Sequence, residues 1–264
     1  MKIRIFSKNN EYSESIRNEF EQLLVSNKYE LTNKSDYDLA VSIGGDGHFI
    51  KMLHECNFDT SKKYVGINTG NLGFMNSILA DNLMEFIKDL NTNNLNVEKV
   101  KFLTVKINSK DEYDGTTYNA INEVILRNTL LTTLHISTFI NKDKLNDMAG
   151  DGVLISTPVG STAHSMSLGG AIIDNNVGAL QIIPIAPINS AINKNIRSPF
   201  ITSDKNRIIF KPINKDNSIS VIIDGRIIPI KDLVSIEITA KEELDIIRDV
   251  EYNNIINLNN KIYK

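Results

Sequence analysis

Cysteine is almost absent from this chain: Cys56 stands alone among 264 residues, so no internal disulfide framework can form. Its place on an apolar stripe with Phe49, Met52 and Leu53 makes it a small core residue and fits a reducing compartment. Histidine is scarce too. His48, His54, His135 and His164 show no paired metal-ligand spacing, which excludes a recognisable structural zinc site. Positive charge is not in excess, since 29 basic residues face 32 acidic ones for a net charge of −3, and no overall field recruits nucleic acid or an anionic membrane. No apolar run approaches the roughly 20 residues that a membrane-spanning helix needs. The start Met1-Lys2-Ile3-Arg4-Ile5-Phe6 reads as a strand and not as a signal peptide, so the expected location is the cytoplasm. The Gly-x-Ser-x-Gly elbow, the Gly-x-x-x-x-Gly-Lys-Ser/Thr loop and the Gly-x-Gly-x-x-Gly fingerprint are all missing, which removes three common active-site classes in their sequence-recognisable forms.

With 41% hydrophobic and 23% charged residues, the chain can bury one large core or two modest ones. Its pattern changes near residue 100. Before that point strand-like runs (2–6, 39–43, 64–68) alternate with helical spacing, as in Ile16, Phe20, Leu23, Leu24 and in Leu83, Phe86, Ile87, Leu90. That alternation predicts a parallel sheet flanked by helices. Beyond it, runs at 102–107, 122–126, 132–140, 153–157, 207–211, 218–223 and 234–239 predict mostly antiparallel β structure. The Asn- and Thr-rich stretch 91–95 is the expected linker.

Directly after the apolar run Leu39-Ala40-Val41-Ser42-Ile43 comes Gly44-Gly45-Asp46-Gly47, followed by helical spacing at Phe49, Met52 and Leu53. Glycine lets another backbone or a phosphate approach closely, and the turn sits where a strand ends and a helix begins, the usual ligand crevice of an open α/β sheet. As a bland alternative, Asp46 simply caps the helix. A second glycine cluster, Gly66-Ile67-Asn68-Thr69-Gly70-Asn71-Leu72-Gly73-Phe74, follows another strand and is expected to line the same crevice. The densest cluster runs from Gly150-Asp151-Gly152 through Ser156 to Gly170, with glycines and hydroxyls suited to ribose and phosphate, or to an ordinary loop with a short helix. Between the clusters, Asn122 and Glu123 interrupt an apolar β-branched run; an amide and a carboxylate at a strand end suit a ribose or a base edge.

These segments, in this order and spacing, resemble the NAD kinase family over most of the chain. The Gly-Gly-Asp-Gly turn alone is shared with lipid kinases; the combination with Asn68 to Phe74, Asn122-Glu123 and Gly150 to Gly170 is the specific part. The resemblance implies a Rossmann-like parallel α/β domain over residues 1–99 and a β-sandwich-type NAD-binding domain over 100–247, with the segment from about 248 to 264 returning to the first. It implies transfer of the γ-phosphoryl group of ATP, or of polyphosphate, to the 2′-hydroxyl of the adenosine ribose of NAD, with Mg²⁺ brought by the phosphates. Asp46 would be the catalytic acceptor or orienter of that hydroxyl, with the Gly45 and Gly47 amides among the charge-neutralising donors. Asn122 and Glu123 would hold the adenosine, with Phe74 near the adenine; Asp151 would meet the nicotinamide side, and Thr162, Ala163, His164, Ser165, Ser167 and Ala186 would complete the cradle. A cytoplasmic homotetramer or homodimer is expected.

Three positions depart from the family pattern: His48 in place of Thr or Ser, His164 in place of Tyr, and Ala149 where many bacterial members carry Arg. The shared turn leaves open a lipid kinase of the same superfamily, and Ala149 and His48 leave open a dinucleotide-binding regulator without turnover.

Overall fold

A computed structural model describes residues 1–70, 73–188, 196–214 and 218–263. Within the sequence clusters, Asn71 and Leu72 fall outside that range. The chain forms two compact units, one from Met1–Val100 together with the segment from Glu243 onward, the other Lys101–Glu242.

The first unit is a Rossmann-like α/β layer structure. Its sheet runs in the order Glu30–Leu31, Lys2–Ser7, Leu39–Gly44, Lys63–Asn68, Glu243–Arg248, Asn96–Lys101, with Ile78–Leu79 paired to Lys63–Asn68. Leu39–Gly44 is buried along its whole length and pairs in parallel with both neighbours, which is why it reads as an unbroken apolar run. Helix Glu11–Ser26 starts where the Asn10 side chain accepts the Ser13 amide, and it buries Ile16, Phe20 and Leu24. Phe20 stacks on Phe86 of helix Leu83–Thr92, with ring centroids 6.1 Å apart, inside the core that includes Ile3, Val41 and Ile67.

Residues 91–95 do not act as the expected linker. Asn91 and Thr92 finish the helix, Leu95 packs on the same core, and a strand follows from Asn96, so the polar composition reflects a helix end at left-handed Asn93. Strand Glu243–Arg248 was not evident from alternation; it slots into the sheet in parallel, Ile246 opposite Tyr64 and Ile247 opposite Val65.

The second unit is a β-sandwich of two six-stranded sheets. One runs Asp143–Gly150, Leu134–Ile140, Ile208–Pro212, Leu233–Thr239, Leu103–Ser109, Thr117–Ala120; the other runs Phe200–Ser203, Ala179–Ile185, Gly152–Ser156, Glu123–Asn128, Ser218–Ile223, Arg226–Lys231. Their pairings are antiparallel. Inward residues of both sheets, among them Val105, Ile107, Leu126, Val153, Phe210 and Val221, make one apolar core.

Candidate active site

In the first unit, the strand ending at Gly44 hands over to helix Asp46–Glu55 through Gly45, which caps the helix with extended backbone and no side-chain bond. Nothing lies within 4 Å of where a Cβ would stand at Gly45 or Gly47, so the first helical turn is open to a ligand. Asp46 turns its carboxylate sideways instead of capping its own helix. Oδ2 accepts the Phe74 amide at 2.7 Å, and Oδ1 accepts those of Met75 at 3.0 Å and Asn76 at 3.3 Å. The approach requires glycine at position 73, where a Cβ would stand 2.0 Å from Asp46 Oδ1. Asn76 then donates to the Gly44 carbonyl at 2.8 Å, filling the space that Gly66 leaves. The two glycine clusters of this unit are thus parts of one turn, and beside it lies a cleft of about 810 Å³ lined by Lys8, Asn10, Gly45, Asn68, Thr69 and Gly70.

The returning segment braces the same loop. Arg248, its side chain 1% exposed, donates through Nη1 to the carbonyls of Phe74 at 3.2 Å and Met75 at 2.7 Å, and through Nε to Glu98 at 2.5 Å. Those carbonyls belong to the peptide units whose N–H groups reach Asp46 Oδ1, so each unit has a cation at its oxygen and an anion at its hydrogen. Such aligned dipoles reinforce each other. Asn257 donates to the Gly73 carbonyl at 3.1 Å, and Lys261 brings its ammonium to 3.7 Å from Asp46 Oδ2 and 4.2 Å from the centre of the Phe74 ring. His48 packs on Gly44, and burial holds its imidazole below the usual histidine range against the pull of a hydrogen bond to the Phe6 backbone. It is therefore neutral at pH 7.

The second unit fixes Asn122 and Glu123 by their backbone. Asp224 accepts the amides of Ile121 at 2.8 Å, Asn122 at 2.9 Å and Glu123 at 3.2 Å. From the other side, Thr157 donates its hydroxyl to the Ile121 carbonyl at 2.7 Å and its amide to that of Asn122 at 3.0 Å. Gly160 closes on the same point, for a Cβ there would stand 2.0 Å from the Asn122 carbonyl oxygen. Asn122 stays half-buried just before strand Glu123–Asn128, while the Glu123 side chain is buried, with Oε2 unpartnered. Burial first, and the Asp224 charge second, push the Glu123 carboxyl up to about 7.

Thr162 and Ala163 are half-buried, and His164 and Ser167 are exposed on the short helix His164–Ser167. Ser165 is fully buried, and its hydroxyl accepts from Gln181 Nε2 at 2.8 Å. Asp151 and Ala186 are exposed and adjacent, with the Asp151 amide donating to Ile185 at 2.9 Å. Ala186 holds φ +44°, unusual for a residue with a Cβ, and Gly150 leaves room for its carbonyl. Ala149 is buried in a strand. Among the described residues, no group of three or more His, Cys, Asp or Glu side chains is placed to hold a metal ion, and no helix is long and apolar enough to cross a membrane.

A sequence model of the ATP-NAD kinase C-terminal domain matches residues 121–256. The chain belongs to the NAD kinase family. It is 34% identical to an NAD kinase of Finegoldia magna over 186 residues, 69% of this chain and 68% of that one. With an NAD kinase of Staphylococcus carnosus it shares 28% identity over 244 residues, 92% of this chain and 90% of the relative. Two solved structures share the fold at 20% identity and cover the whole chain: yeast NADH kinase complexed with NADH (TM-score 0.84, 87% of that chain) and an NAD kinase from Archaeoglobus fulgidus in complex with ATP (TM-score 0.77, 99% of that chain).

Four residues that hold these candidate segments carried no weight in the sequence reading: Asn76, Arg248 and Lys261 in the first unit, and Asp224 in the second. Asp224-Gly225 was the one with a local signal, a turn dipeptide between two apolar runs. The others act across long sequence separations.

Proposed function

We propose that this chain makes NADP, transferring the γ-phosphoryl group of ATP to the 2′-hydroxyl of the adenosine ribose of NAD. The observation that carries the reading is the state of Asp46: three backbone amides fix its carboxylate, and of about four lone-pair positions one remains, on Oδ2, for an incoming hydroxyl. In the reaction, the ribose oxygen bonds to phosphorus as the bond from phosphorus to the β,γ-bridging oxygen breaks. ADP leaves with that electron pair, and the hydroxyl proton passes to Asp46 and then to solvent. A carboxylate is a weak base toward an alcohol, so Asp46 contributes mainly alignment and late proton acceptance in a loose transition state.

The open amides of Gly45 and Gly47 and the neighbouring cleft suit the ATP phosphates. Mg²⁺ enters with ATP as the substrate complex, held by phosphate oxygens and water, as a hard, strongly hydrated cation is. In this reading residues 1–99 and the returning tail handle phosphoryl transfer, and residues 100–247 bind the dinucleotide. Asn122 and Glu123 take the adenosine, a role that the buried, unpartnered Oε2 of Glu123 supports. Phe74 serves the adenine; Asp151, Ala186, Thr162, Ala163, His164 and Ser167 serve the rest of NAD. The protein works in the cytoplasm as a homotetramer or homodimer, with ATP or polyphosphate as the donor.

Incubation of the pure protein with NAD and Mg-ATP, followed by an NADP-specific dehydrogenase, tests the reading. NADP is expected to accumulate in proportion to enzyme. Binding of NAD without NADP formation would reduce the chain to a regulator, and phosphorylation of diacylglycerol instead of NAD would make it a lipid kinase.

A further inference from the structure

We propose that Lys261 is a catalytic residue of this kinase, the protein cation that meets the transferring phosphoryl group. The inference rests on the assignment of the acceptor hydroxyl to Asp46. Its ground is the one remaining lone pair on Asp46 Oδ2, beside which the Lys261 ammonium stands at 3.7 Å. A hydroxyl donating to that lone pair sits within reach of the ammonium, and so does the phosphorus it attacks. The ammonium stands over the Phe74 ring, 4.2 Å from its centre, and this contact holds it beside Asp46. An ammonium has three protons, and the side chain keeps 21% exposure, so donors remain for the equatorial phosphoryl oxygens.

The other cations of this unit near the turn are placed differently: Lys8 lines the adjoining cleft that suits the ATP phosphates, and the Arg248 guanidinium, 1% exposed, is turned to Glu98 and two carbonyls. Burial lowers the Lys261 ammonium from the usual lysine range while Asp46 pulls it back up. A partly desolvated cation facing an anion is the arrangement that stabilises charge most strongly.

The test uses the full chain and its NAD kinase assay. Lys261→Ala is expected to lower kcat by roughly a hundredfold while the KM for NAD stays within about threefold and the melting temperature holds. Lys261→Arg is expected to recover most of the loss, and added ethylammonium to recover part of it in the alanine variant. Unchanged kcat in Lys261→Ala overturns the proposal. So does a loss that neither arginine nor the added amine restores, which would make Lys261 a packing residue, and so does a gain in turnover, which would make it a competitor for the Oδ2 lone pair. Asp46→Asn run in parallel separates the two assignments: full activity there removes the reading of Asp46 itself, whereas loss there with full activity in Lys261→Ala removes only Lys261.

Discussion

Both units pin a functional segment with one carboxylate that takes three consecutive backbone amides, and they use the device in opposite senses. In the α/β unit the carboxylate belongs to the candidate catalytic residue, Asp46, and the amides of Phe74, Met75 and Asn76 are the brace. In the sandwich the carboxylate of Asp224 is the brace, and the amides belong to a stretch that ends in the ligand candidates Asn122 and Glu123. The first arrangement immobilises a side chain, and the second immobilises a backbone while leaving side chains free to meet a ligand. Losing the carboxylate therefore has different consequences in the two places.

The largest effect is expected away from both carboxylates. Arg248→Met leaves Glu98 without its buried partner and two carbonyls without their cation, and it should cost about 3–5 kcal/mol of stability, read from the urea midpoint. A smaller loss would mean that the brace in the α/β unit stands without its cation. Next comes Asp46→Asn, expected to lower kcat at least roughly a hundredfold with NAD binding within a few-fold. Were the damage to appear in NAD affinity instead, the two carboxylates would be doing the same job. Asp224→Ala should show the reverse split: NAD KM up roughly tenfold, kcat little changed, and about 1–3 kcal/mol lost from freed amides, measured by steady-state kinetics and denaturation.

The smallest effect is a pH slope. Because the folded chain holds Glu123 near 7 against an ordinary 4.5, it binds that proton more tightly than the unfolded chain does, and stability falls as pH rises from about 4.5 through about 7. Glu123→Gln should flatten this slope, so urea midpoints taken at about pH 5 and about pH 8 should differ less in the variant than in the parent. An unchanged slope would assign the titration to another group.

What the sequence made legible was whatever used residues that are costly elsewhere. The apolar run into Gly44-Gly45-Asp46-Gly47 marks a buried strand and a bare helix start, and both are present. Strand Asp143–Gly150 escaped notice because it lies at a sheet edge, with its first five residues exposed or half-buried, and carries no clean alternation. The burial of Ser165 against Gln181 was not legible, because a hydroxyl looks the same in sequence whether it is buried or exposed. Arg248 and Lys261 lie in the segment that the family resemblance expected to return, but nothing in the sequence singled them out, and the parallel insertion of Glu243–Arg248 beside Lys63–Asn68 is what carries Arg248 to the turn.

That insertion also imposes a schedule on biosynthesis. Arg248 is made 174 positions after Phe74, so at ordinary elongation rates about 10–35 s separate the emergence of the amide loop from the arrival of the guanidinium that braces it. A ribosome-bound fragment that has already folded its first helices still lacks the brace, and the competence to phosphorylate arises only after Arg248 has emerged.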